Sequence, residues 1–206
     1  MYLARALEDP LLLFVLAGVA FSICCHEYMH ARIALAEGDP TAADAGHLTL
    51  NPLRQMGWLS LVMLAVAGIA WGAVPVNPRN FRRPSSALRV ALAGPLANLA
   101  LWAIFLLTSY TLGLFPDSPA TDLFFHLAVA NAVLFLINHL PIPGLDGSTV
   151  LRHFFPAFSD RLTPGVSLVL LILLFRFSSF LFDAATAVSV SLYNLLFVLL
   201  QPASIW

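Results

Sequence analysis

Apolar residues fill this chain in long blocks, and the polar residues that interrupt them set the element boundaries. From Leu11 the sequence stays apolar to about Ala36, broken only by His26-Glu27-Tyr28-Met29-His30. Pro10 opens that block, where its missing amide hydrogen costs nothing because the first turn leaves it unbonded anyway. Residues 37–56 are the most polar stretch. Within it His47-Leu48-Thr49-Leu50 alternates with period two, which predicts a short strand closed by Asn51-Pro52. Residues 57–74 are apolar again but short and broken by glycine, and VPVNPRNFRRP then reads as extended. Ser85 and Ser86 can cap a helix that runs to about Gly113. Another runs from about Asp122 to Leu140, stopped by Pro141 and Pro143, which cannot continue a helical ladder. Two last apolar runs, about 162–182 and 184–203, divide near Asp183.

Composition decides what these blocks are. Of 206 residues, 60% are hydrophobic and 10% charged, against roughly 45–50% and 25% in soluble domains. So few charges cannot cover so much apolar surface in water. A crossing takes about 20 apolar residues. The pattern therefore predicts an all-α polytopic membrane protein: five to six transmembrane helices, with a short β-hairpin or re-entrant segment after the first. No polar block is long enough for a second soluble domain, so residues 1–206 read as one domain, with a core over about 10–155 and two C-terminal helices over about 162–203. The net charge of -1 and the lack of a basic stripe argue against nucleic acid as a partner. Cys24 and Cys25 are adjacent in an apolar run and read as packing residues.

The motif inside the first block carries chemistry. Residues i and i+4 stack on one helix face, so His26 and His30 can reach one ion, while Glu27 points beside them where it can take a proton from a metal-bound water. Ionisable groups at this depth cost about 2.5–3.5 kcal/mol each on insertion scales, so they persist chiefly where they function. Two histidines leave a catalytic zinc one ligand short. Among Asp117, Asp122, Asp146, Asp160 and Asp183, Asp146 stands out because it follows a helix-breaking PIPG turn and precedes Gly147. An Asp-Gly pair is more often just a turn.

HEYMH in an apolar helix, AGPLAN in a middle one and NHLPIPGLDG after a later one together resemble the site-2 proteases, intramembrane zinc metalloproteases. GDPTAADAGHLTLNPLR and PVNPRNF are similar to the compact branch of that family, which lacks PDZ and CBS domains. The resemblance covers about residues 21–155. It implies that His26, His30 and Asp146 bind one Zn2+ and that Glu27 is the catalytic base. It also implies that Asn138 helps hold substrate or stabilise the oxyanion, with Asn98 in a polar role near the site. The chain departs from the family where relatives often carry a His-x-Asp-Pro-like stretch after NPL; here Gln55-Met56-Gly57-Trp58 stand.

Depth constrains topology. His26 lies about 24 Å along its helix from Pro10, towards the far side of a roughly 30 Å core. Asp146 follows the 122–140 crossing, so an even number of crossings must separate the two. Spans 87–113 and 122–140 supply that number, and 57–74 should dip in and return. On that arrangement eight arginines, Arg32, Arg54, Arg79, Arg82, Arg83, Arg89, Arg152 and Arg161, face one side and only Arg5 the other. That bias points to the cytoplasm as the side nearer the site, in a multi-pass protein of the cell membrane.

The expected activity is hydrolysis of peptide bonds within or near transmembrane segments of membrane-protein substrates, with lipid as the surrounding partner. The alternatives are a membrane metal-ion carrier using the same ligands, or an inactive protease-like scaffold. Edges at His47–Leu50 and Val74–Asn77 could pair with an unwound substrate by strand addition, or could simply form a hairpin with each other. His139 reads as a helix-interface residue, and His47, His126 and His153 as ordinary polar residues of loops.

Overall fold

The computed structural model describes residues 8–115, 118, 120–159 and 164–200, and helices alone form its regular structure there. Helix α1 spans Pro10–Ala36; Asp9 caps it by accepting from the Leu11 amide. Two single turns follow, α2 (Thr41–Asp44) and α3 (Pro52–Gln55), then α4 (Gly57–Ala67). After a 3-10 turn at Pro78–Asn80 comes α5 (Ser86–Gly113), then α6 (Ala120–Asn138), α7 (Asp146–Phe154) and a turn α8 (Pro156–Ser159). Helices α9 (Pro164–Arg176) and α10 (Ser178–Leu200) end the described chain.

Helix α5 is the centre of the packing, with α6 along one side and α1 along another, α7 against it, and α10 against α6 and α5. Polarity is inverted relative to a soluble protein. Phe14, Phe21, Ile104, Leu107, Phe180 and Val198 are exposed, whereas Ser22, Asn98, Ser109, Asn131 and Ser189 are buried. A solvent as apolar as the core explains the outside, and the cost of unpaired polar groups in lipid explains why those inside are bonded to one another. Trp102 donates to Ser189 Oγ and so ties α5 to α10, and Ser109 donates to the Thr121 carbonyl. This is a multi-pass membrane protein.

Three sequence expectations need correction. Among the described residues four helices, α1, α5, α6 and α10, are long and apolar enough to cross a membrane, and a count of five or six is not supported. The 162–182 run yields a helix of only 13 residues, about 20 Å against a 30 Å core. The break falls at Phe177, where Ser178 Oγ turns back to the Phe175 carbonyl; Asp183 is exposed within α10 and interrupts nothing. The β-hairpin is also absent among the described residues. Gln55 is the reason: its buried amide donates to the carbonyls of His47 and Thr49 at 2.8 and 2.6 Å, taking the acceptors a partner strand would need. The excursion through α4 nevertheless doubles back. Gly68 adopts a left-handed turn at φ 68, residues 69–77 carry no helix and are extended at Asn77, and the Asn77 amide reaches Asp39 beyond the end of α1.

Candidate metal centre

Helical spacing brings the two rings of the first motif together: His26 and His30, both buried, have their Nε2 atoms 2.9 Å apart. Asp146 arrives as the first residue of α7. Its delivery depends on a close approach, since a β-carbon on Gly147 would overlap the carbonyls of His139 and Leu140 at the end of α6. The residue before the turn, Gly144, takes φ 99, which a glycine adopts freely. Asp146 Oδ2 then lies 3.1 Å from His26 Nε2 and 3.3 Å from His30 Nε2.

The hydrogen bonds on the far side of each ring bear on what this cluster could hold. His30 Nδ1 faces the Val90 carbonyl at 2.7 Å, an atom that can only accept, so Nδ1 carries a hydrogen and, in the neutral ring, Nε2 has a lone pair. His26 Nδ1 likewise donates to Asn98 Oδ1 at 2.6 Å. Asp146 Oδ2 is buried with no hydrogen-bond donor. With both rings neutral, three electron-pair donors face one point, an arrangement that a divalent cation satisfies. Their separations are close to the roughly 3.3 Å edge of a tetrahedron built on zinc bonds of about 2.0–2.1 Å. Gly94 makes room for the pair, because a β-carbon there would strike both Nε2 atoms.

Glu27 is not among the three. It lines the same cavity of about 520 Å3, backed by Gly72, whose missing side chain leaves space for its carboxylate. Asn138 lines that cavity too, but its Nδ2 donates to the Leu134 carbonyl of its own helix at 3.0 Å. His139 is exposed, bonded to the Phe135 carbonyl, and takes no part in the site.

The wall opposite is the extended stretch after Gly68. Its odd-numbered groups are pinned to the scaffold: Trp71 exchanges two hydrogen bonds with Ser60 Oγ, Ala73 donates to the Gln55 carbonyl, and Asn77 donates to Asp39. In an extended chain successive residues turn their amides to opposite edges. Alternation would turn those of Gly72, Val74 and Val76 to the other edge, and no hydrogen bond to them is found among the described residues. All three line the cavity.

Asp39, fully buried, anchors this wall by accepting from Thr41, Asn77 and Asn80. Burial pulls its carboxyl up, but those hydrogen bonds outweigh it and hold it below the usual range. Glu37 beside it is lowered by the Ser86 hydroxyl, with Arg89 adding to the effect. Sequence reasoning missed Asp39, Gln55, Ser60 and Asn131. Asn131 alone had a readable signal, as an amide in the middle of an apolar helix.

A Bacillus subtilis protein named "Putative zinc metalloprotease YwhC" is 36% identical over 163 residues, 74% of this chain and 74% of that protein. "Putative zinc metalloprotease Rip2" of Mycobacterium tuberculosis is 38% identical over 174 residues, 79% of this chain and 66% of its own length. "Putative zinc metalloprotease MJ0611" of Methanocaldococcus jannaschii is 29% identical over 153 residues, 69% and 72% of the two chains. No family model matches the chain, and no solved structure does.

Proposed function

Since the chain belongs to the site-2 protease family of zinc metalloproteases, we propose that it hydrolyses peptide bonds within or beside the membrane-spanning segments of other proteins. The observation that carries this reading is the placement of Glu27 in the same cavity as three converging potential ligand atoms, of His26, His30 and Asp146. His26, His30 and Asp146 would hold the zinc. When bound, it supplies Lewis-acid polarisation of the scissile carbonyl and acidifies a water. Glu27 takes the proton of the attacking water and passes it to the leaving amine. Asn138, on the cavity wall, would contact the substrate or the developing oxyanion. Among the described residues one such ligand group is found, which fits a hydrolase better than a carrier with ligands strung along a path.

The free edge of Gly72, Val74 and Val76 would receive an unwound substrate by strand addition, with main-chain bonds setting register and the apolar cavity wall accepting side chains. Residues 1–206 would act as one domain in the cell membrane. The arginine bias would put the site near the cytoplasmic face. The test is cleavage of a single-span model peptide by the purified protein in bilayer. Zinc dependence, loss on chelation and loss in Glu27→Gln are expected; cleavage indifferent to all three overturns the proposal.

A further inference from the structure

Three buried polar side chains are not among the three ligand candidates: Ser22 on α1, Asn98 on α5, which also lines the cavity, and Asn131 on α6. They form a chain of hydrogen bonds whose direction is fixed at one end by the backbone. The Leu127 carbonyl can only accept, so the atom of Asn131 facing it at 2.9 Å is Nδ2. The second hydrogen of that amide goes to Ser22 Oγ at 2.9 Å, and the Ser22 hydroxyl donates to the Gly18 carbonyl. Oδ1 of Asn131 is left to accept from Asn98 Nδ2 at 3.1 Å. Asn98 must therefore turn Oδ1 towards His26.

We propose that Asn131 is a positioning residue for the metal centre: through Asn98 it selects the His26 tautomer that keeps Nε2 free for zinc. The inference rests on His26 being a ligand. An Asn98 amide turned the other way would present hydrogens to Nδ1 and favour a proton on Nε2, in the place of the cation. Nothing at Asn98 itself chooses between the two orientations; Asn131 does, because its own amide is held by a carbonyl. Partners of this kind commonly change metal affinity by about 10–100-fold when removed.

The test is zinc affinity of the full chain in detergent, measured by competition with a chromogenic chelator. Asn131→Leu and Asn98→Leu should each weaken zinc by about 10-fold or more, and the double variant should be no weaker than Asn98→Leu alone. Asn131→Asp keeps an acceptor for Asn98 Nδ2 and should stay closer to the unmutated protein than Asn131→Leu. If Asn131→Leu does not fold, Asn131→Ala carries the same expectation. Unchanged affinity in the Leu or Ala variant, or an equal loss in the Asn98→Leu background, overturns the proposal. A merely structural role would lower the unfolding temperature of the zinc-free protein and leave the affinity alone. Failure of the unmutated protein to bind zinc overturns the metal reading, and this proposal with it.

Discussion

Gly72 lies so close to Glu27 that a β-carbon added to it would overlap the Glu27 side chain from Cγ to the carboxylate. The Glu27 carboxylate, the general base of the proposed reaction, therefore owes its place to the absence of a side chain at Gly72. Gly72→Ala should push the carboxylate aside while leaving His26, His30 and Asp146 in place. Displacements of about 1 Å can cost on the order of 100-fold in rate. Cleavage of a model peptide should fall by that order with zinc content unchanged; a variant that loses both equally would mean that Gly72 supports the fold rather than the base.

Gly94 predicts the opposite separation. A methyl there meets Nε2 of both histidines, and neither ring can retreat, since Val90 and Asn98 hold their far nitrogens. Gly94→Ala should abolish stoichiometric zinc in atomic absorption of the purified protein. Overpacking of this kind costs roughly 1–3 kcal/mol of stability, so helix content by circular dichroism should persist. Retained zinc would show that the helices can part to admit the methyl.

Much of this site was readable in the residue pattern, and what was missed has a physical reason. His26, Glu27 and His30 announce themselves because charged groups in an apolar helix are costly and their spacing is that of one helix face. Asp146 is marked more faintly, by the turn that delivers it, and it took the structure to show its Oδ2 beside both rings. Gly72 and Gly94 carry no local signal, because a glycine kept empty for a distant side chain looks like any other. The hairpin expectation failed for a related reason. Alternation at His47–Leu50 describes a strand's side chains, but the backbone acceptors there are claimed by Gln55, a residue whose role depends on where the chain folds back.

Acid should loosen the polar face before the core. The carboxyls of Asp39 and Glu37 are held below their ordinary values by hydrogen bonds that exist only in the folded chain. A carboxyl lowered in the fold contributes stability above its unfolded pKa, about 3.9 for aspartate, and that contribution is lost as pH falls through the lower folded value. Asp39→Asn turns an amide towards a set of donors and should cost roughly 2–3 kcal/mol at neutral pH. The gap in unfolding temperature between the two proteins should close below about pH 4. Arg89→Ala should cost under about 1 kcal/mol, because its pairing with Glu37 is exposed on the arginine side. A gap that persists unchanged into acid would remove Asp39 as the titrating anchor.

The free edge of the extended wall can be tested one amide at a time. Proline at 74 or 76 deletes a single unbonded N–H from a cavity-lining residue and leaves the Ser60, Gln55 and Asp39 attachments intact. Extended backbone suits proline, and Val74 already precedes Pro75, which restricts it to that region. If substrate adds as a strand, Val74→Pro and Val76→Pro should raise KM by about 5–10-fold, one lost main-chain bond being worth roughly 1 kcal/mol, with zinc content unchanged. Val74→Ala and Val76→Ala remove side-chain contact but keep the amide, so they separate loss of the bond from loss of packing. Equal effects of proline and alanine at both positions would mean that the substrate is held by its side chains, and that the unpaired edge serves some purpose other than strand addition.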